Sequence, residues 1–227
     1  MKKKVVGFVG VNHERSSTVE YIRDVLSFVS DKIDIDIELY TQANSQLRMC
    51  KGCCTCFNRH YCPLDSLDHM DIIKEKMLNA DFLIFGSPVY MHSVSGCMKN
   101  FFDRISYWSH LMPLRGKNCM LISSADSNGG NLTTNYMEKI TSYLGCPAVV
   151  RANIFGVNGY DDGKKKIHAD TLVECIDHPI KSNAQIEKIY LALNMVMNSR
   201  VALEGNVEYE YWKKNGMLNA ESFESLI

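Results

Sequence analysis

Apolar residues along this chain fall into short unbroken runs separated by longer amphipathic stretches. Residues 5–10 form one such run, closed by a turn. A run this short and continuous predicts a strand buried on both faces, as in a parallel sheet. From Thr18 the period becomes helical, with Val19, Ile22, Val25, Leu26 and Val29 on one face. Residues 33–40 alternate Ile33, Ile35, Ile37 and Leu39 with acidic neighbours, which predicts a strand near a sheet edge. Residues 80–86, 117–123 and 148–157 predict three more strands. Helical patterns occupy 68–79, 95–108 and 131–144, and Gly145 stops the last. Five strands alternating with helices predict a doubly wound, five-stranded parallel α/β sheet with helices on both faces.

Residues 158–182 break this period and are expected to form an insertion. Lys164, Lys165 and Lys166 fit a solvated surface run, and His168, Cys175 and His178 are too scattered to argue a metal site. A long helix is predicted over 184–203, either closing the second face of the sheet or forming a subunit contact. The domain is therefore expected to span 1–203, with a tail over 204–227. Tyr209, Tyr211 and Trp212 in that tail carry aromatic area that needs burial, and a neighbouring subunit is one place for it.

Composition narrows the class. A chain of 227 residues with 46% hydrophobic and 22% charged residues has the makings of one globular domain with appendages. A net charge of -1 leaves no electrostatic footprint for nucleic acid. The first apolar run is too short for a signal peptide, and no stretch approaches the roughly 18 apolar residues of a membrane span. The expectation is a cytoplasmic protein that engages neither membrane nor nucleic acid. Its thiols then stay reduced, so clustered cysteines point to metal or redox work rather than to structural disulfides.

That clustering is pronounced. Five of nine cysteines lie within thirteen residues, and Cys50, Cys53, Cys56 and Cys62 make the spacing C-x2-C-x2-C-x5-C. Short spacers let one loop wrap three thiolates round an inorganic centre, with the fourth arriving a turn later. Cys54 adjoins Cys53 and is expected to point elsewhere. An iron-sulfur cluster, zinc, and inert or redox-active thiols all remain open. Zinc fits least well, because structural zinc sites usually split their ligands into separated pairs.

Three loops follow the carboxyl ends of predicted strands, where open α/β sheets bind ligands. The first, residues 12–18, combines hydroxyls with a helix N-terminus and suits a phosphate monoester; a plain capped helix is the alternative. The second, residues 87–96, offers an aromatic ring, a thioether, hydroxyls and backbone donors to a flat heteroaromatic ligand; otherwise it is a turn stiffened by Pro88. The third, residues 124–131, contains Gly129 and Gly130, which allow backbone to approach a ligand.

The order of these pieces resembles a known family. Gly7-Phe8-Val9-Gly10 with its hydroxyl-rich loop, the cysteine motif, Gly86-Ser87-Pro88-Val89-Tyr90, Ser93-Val94-Ser95 and Lys99-Asn100-Phe101-Phe102-Asp103-Arg104 look like the flavodoxin-like NAD(P)H-dependent FMN reductases. Within that group they resemble the iron-sulfur flavoproteins. The resemblance implies non-covalent FMN. Its phosphate would be held by Asn12, Arg15, Ser16, Ser17 and Thr18, and its ring by Pro88, Val89, Tyr90, Met91 and Ser93. Ser124, Ala125, Asp126, Gly129 and Gly130 would flank the ring's other side. It further implies a [4Fe-4S] cluster on Cys50, Cys53, Cys56 and Cys62, a homodimer or homotetramer, NAD(P)H or a ferredoxin-like donor, and a quinone or other small acceptor. Two departures stand out. Val11 follows Gly10 where the family commonly has serine, and the third loop lacks the usual glycine-rich run. No side chain is assigned as a catalytic acid or base.

The competing functions are a zinc-stapled α/β module without flavin and a thiol-redox protein using Cys53 and Cys56. Flavin colour, broad cluster absorbance and tightly held zinc separate the three.

Overall fold

The computed structural model describes residues 2–13, 15–156, 161–199 and 205–227. In chain order the main elements begin with β1 (Lys3–Val9), α1 (Ser17–Ser30), β2 (Ile35–Thr41), α2 (Gln42–Ser45), α3 (Thr55–Arg59) and α4 (Met70–Leu78). Then come β3 (Phe82–Tyr90), β4 (Ser93–Val94), α5 (Gly96–Arg104), β5 (Asn118–Ala125), α6 (Gly130–Tyr143) and β6 (Ala148–Phe155). Three helices finish the chain: α7 (Asp162–Asp177), α8 (Ala184–Ser199) and α9 (Val207–Lys214).

The parallel strands lie in the order β2-β1-β3-β5-β6, and β4 pairs antiparallel with the end of β3. The predicted five-stranded parallel sheet is present, and the acidic strand β2 lies at its edge. Alternation within each strand feeds two cores. Val5, Val9, Phe82, Ile84, Met120 and Ile122 pack with α1 and α7. Val6, Phe8, Leu83, Phe85, Cys119 and Leu121 pack with α4, α5 and α6. Burying both faces in this way is what makes the strand sequences continuous apolar runs.

Within the expected insertion over 158–182, the described residues from 161 onward are largely helical. Val157, Asn158, Gly159 and Tyr160 lie outside the described residues, but α7 covers the second sheet face beside α1. Its apolar positions Ala169, Leu172, Cys175 and Ile176 are buried. Lys165 disguises the period: it is buried, and its Nζ lies 2.7 Å from Asp24 and 3.1 Å from Asp162. Ile167, by contrast, is 63% exposed. His168 Nδ1 lies 2.9 Å from the Tyr21 hydroxyl, a contact between α7 and α1 rather than part of a ligand set.

The helix over 184–203 does not close the sheet. As far as Ser199 it packs against the tail, and residues 200–203 lie outside the described residues. Tyr190, Trp212, Met217 and Phe223 form a third core, with the Tyr190 and Trp212 rings stacked 5.7 Å apart. Trp212 Nε1 donates to the His110 carbonyl at 2.7 Å. Trp212 is thus buried within the chain, without a neighbouring subunit.

Candidate functional site

The chain order of the strands reverses at β1: β2 lies on one side and β3 on the other. Crevices beyond the carboxyl ends of strands at such a switch point are where open α/β sheets take ligands. Here that crevice is a hollow of about 330 Å³. The first loop contributes Val11, His13, Arg15, Ser16 and Ser17 to its wall. Pro88, Val89 and Tyr90 come from the end of β3, and Ser124, Ala125, Asp126 and Gly156 from the ends of β5 and β6.

Its floor is built for an anion. Ser16 is the extended residue before α1, and its side chain makes no capping hydrogen bond. Arg15, Ser16 and Ser17 thus line the hollow where the 14-residue α1 begins and its first-turn N–H groups lie. That is the donor set a phosphate needs. Apolar Pro88 and Val89 with the Tyr90 ring suit a flat ring system beyond it. The residues present fit FMN.

Several expected residues stand elsewhere. Thr18 does not face the hollow; it is fully buried, and its Oγ1 lies 2.6 Å from Ser124 Oγ. Asn12 is exposed and does not line the hollow. The stretch expected as a second loop is instead a hairpin: β3 runs through Pro88 to Tyr90, pairs with β4, and turns at Met91 and His92. Met91 sits at the tip, 95% exposed, and Ser93 is exposed beside it. Both turn residues have left-handed backbone, with φ of 49° at Met91 and 61° at His92. Non-glycine residues adopt that region only at a cost.

Gly129 and Gly130 support the hollow from outside. Gly129 has φ of 84°, and a Cβ on it would lie 2.8 Å from Val89 Cγ1 and 3.1 Å from His92 Nδ1. The third loop can therefore rest on the hairpin only with glycine there. Gly130 packs against Ser123 and Asn153. His13 and Gly156 line the hollow without having been singled out, and Val11, noted only as a departure from the family's serine, lines it too. The position of Val11 directly after β1 was the available signal; Gly156 had none, because it reaches the rim through the pairing of β5 with β6.

The cysteine stretch folds as a separate lobe over α5. All four motif cysteines, Cys50, Cys53, Cys56 and Cys62, line one enclosed hollow of about 70 Å³. Cys54, expected to point elsewhere, lines it too. Left-handed backbone at Gly52, Cys54 and His60 bends the chain round this space. Among the described residues, no three His, Cys, Asp or Glu side chains converge on a single ion. Burial, with the nearby Cys62 and Cys50, pushes the Cys56 thiol up. A hydrogen bond from Thr55 pulls the exposed Cys53 thiol down.

A buried ionic network holds the lobe in place. The Arg104 side chain is wholly buried; Nη1 donates to Asp68 at 2.6 Å and to the Arg48 carbonyl at 2.9 Å. Nη2 donates to Asp65 at 2.9 Å. Asp65 also pairs with Lys74 at 2.6 Å, and Asn100 bonds Cys50 N–H at 2.9 Å. One guanidinium thus joins the chain before the cysteines to the chain after them. Arg104 itself lines the thiol hollow, and its Nε is buried without a hydrogen-bond partner among the described residues. An orphaned N–H beside five soft thiol donors fits an inorganic sulfur-rich centre.

The sheet order, the three-part rim hollow and the anion corner define a flavodoxin-like, FMN-dependent oxidoreductase. Residues 3–161 match the family described as NADPH-dependent FMN reductase, and the chain belongs to that family. It is similar to an iron-sulfur flavoprotein of Methanocaldococcus jannaschii, 33% identical over 132 residues, covering 58% of this chain and 67% of that protein. It is also similar to an iron-sulfur flavoprotein of Archaeoglobus fulgidus, 25% identical over 224 residues, covering 95% of this chain and 100% of that one. Among solved structures, the apo form of the NADH:FMN oxidoreductase EMOB superposes with a TM-score of 0.57 at 17% identity, over 82% of this chain and 94% of that one; this is a likeness of fold. No helix among the described residues is long and apolar enough to cross a membrane.

Proposed function

We propose that this oxidoreductase is an electron-transfer flavoprotein with FMN at the sheet rim and a [4Fe-4S] cluster on Cys50, Cys53, Cys56 and Cys62. The observation that carries the proposal is the enclosed hollow walled by all four motif thiols and by the unpartnered Nε of Arg104. When bound, FMN supplies two-electron uptake and the cluster one-electron storage.

The protein's own groups do the rest. Arg15, Ser16, Ser17 and the first turn of α1 hold the phosphate. Pro88, Val89 and Tyr90 seat the ring, while Ser124, Ala125 and Asp126 wall its other side. The four thiolates ligate the cluster, and the buried Arg104 cation stabilises negative charge beside them. The electron donor is NAD(P)H or a ferredoxin-like protein, and the acceptor a quinone or another small molecule. Leu191, Met195 and Val196 leave an exposed apolar stripe on α8, 74% exposed at Met195, which supports assembly as a homodimer or homotetramer.

The test is the absorption spectrum of anaerobically purified protein, with iron and acid-labile sulfide assays. A two-band flavin spectrum plus broad brown absorbance, and about four irons per chain, is the expected result. Flavin with tightly held zinc, or flavin with no iron after anaerobic reconstitution, overturns the cluster. Failure to bind FMN overturns the whole assignment.

A further inference from the structure

Two consecutive serines near the end of β5 reach into opposite helix layers. Ser124 Oγ meets Thr18 of α1 at 2.6 Å. Ser123, wholly buried, turns toward α6. It stands in register with Asn153 of β6, and its hydroxyl donates to Asn153 Oδ1 at 2.7 Å. Thr134 Oγ1, also buried, lies 3.2 Å from the same Oδ1 and 3.1 Å from the Gly130 carbonyl. At the other end of the amide, Asn153 Nδ2 donates to Asn131 Oδ1 at 2.5 Å. No side chain caps α6, which begins after Gly129; its first turn is tied down by this cluster instead.

From there, close contact runs on to the rim. A Cβ on Gly130 would stand 3.1 Å from Asn153 Cβ and from Asn153 Oδ1, so the backbone at the start of α6 rests directly on that side chain. Gly129 rests in turn on the hairpin, where a Cβ would stand 2.8 Å from Val89 Cγ1. Val89 lines the rim hollow, and Asn153 is not among its lining residues. The phosphate corner belongs to other residues, Arg15, Ser16 and Ser17.

Removing an amide from water is tolerated where its own hydrogen bonds are met. Both ends of the Asn153 amide are met, and its partners sit on β5 and on the first turns of α6. Directional bonds fix a segment in place where apolar contact alone would let it slide. We infer that Asn153 is a positioning residue for the flavin ring: it sets how Gly129 and Gly130 press on Val89, and so places one wall of the rim hollow. The inference rests on the flavin reading of that hollow and stands whether or not the thiol hollow holds a cluster.

The test is titration of the full-length, flavin-free protein with FMN, well below its melting temperature. Asn153→Leu keeps the volume and deletes all of these bonds. It should raise the FMN Kd by at least about threefold, the size of a lost neutral hydrogen bond, and alter the visible bands of the bound flavin. Ser123→Ala should act in the same direction, and decides the matter if Asn153→Leu does not fold. The double variant should bind FMN no more weakly than Asn153→Leu alone, because the two side chains act as one unit. Tyr190→Phe is the control: it removes hydroxyl bonds to the Met217 and Ala220 carbonyls in the third core, and should lower the melting temperature while leaving FMN affinity unchanged. A smaller rise in Kd, an unaltered flavin spectrum, strict additivity in the double variant, or equal weakening by Tyr190→Phe overturns the inference and leaves the flavin reading standing. A parent protein that binds no FMN overturns both.

Discussion

The hydroxyls of Thr18 and Ser124 meet at 2.6 Å, although 106 positions separate them in the chain. Through this contact the first turn of α1 is fastened to the end of β5 beneath the rim hollow. Two of the three segments that form the proposed FMN site are thereby held at a set spacing.

Thr18→Val keeps the side-chain shape and deletes that bond, leaving Ser124 Oγ without this partner. We expect a loss of about 1–2 kcal/mol of stability and a several-fold weaker FMN complex. Thermal melts of flavin-free protein and a flavin titration measure the two effects. A lower melting temperature with unchanged FMN affinity would show that the bond supports the core but does not set the rim.

Arg104 bridges Arg48, Asp65 and Asp68 while fully buried. Lysine there keeps the charge but cannot span those acceptors, so two buried carboxylates lose their fork. Arg104→Lys should cost about 3–5 kcal/mol and make the buried Cys62 thiol reactive. Denaturant titration and timed thiol labelling check this. A cost below about 1 kcal/mol would mean that the network contributes far less than its geometry implies.

The Met91–His92 turn holds two non-glycine residues at positive φ. A two-residue hairpin of this hand favours Asn-Gly. The double substitution Met91→Asn, His92→Gly should therefore raise stability by about 1 kcal/mol or more, read as a higher denaturant midpoint. FMN affinity should stay within a few-fold if the tip only connects strands; a larger fall would show that the strained residues serve the ligand.

Asp68 supplies the expected acid sensitivity. Burial alone would raise its carboxyl, but hydrogen bonds from Arg104 and from the Arg48 and Met70 N–H groups outweigh it and hold the group below the usual carboxylate value. A carboxyl depressed in the folded state adds stability above its unfolded value of about 3.9. That contribution falls away as the pH drops through the folded value. Stability should therefore decline below about pH 4, and Asp68→Asn should flatten this part of the profile while lowering stability at neutral pH. An Asp68→Asn profile parallel to that of the parent would refute the assignment.

Much of the fold could be read from the chain because parallel strands buried on both faces leave continuous apolar runs, as in residues 82–86 and 119–122. The edge strand was equally clear, since Ile35, Ile37 and Leu39 alternate with acids. The helix α7 escaped notice because a buried lysine took an apolar position and Ile167 faced outward. Nothing local distinguishes Lys165 from its solvated neighbours; only the proximity of Asp24, 141 positions away, does. Trp212 was seen to need cover, but its cover, Tyr190 and Phe223, comes from segments brought together by folding.

The amino-acid sequence by itself determined the alternating α/β layout, the three segments that follow strand ends, and the crowding of thiols between Cys50 and Cys62. These features are local, because burial, turn chemistry and ligand spacing all act over a few residues. Only the tertiary structure decided that Thr18 turns away from the rim to bond Ser124 and that Cys54 joins the thiol hollow. Each depends on which distant groups share a space from which water is largely excluded, and packing sets that, not periodicity.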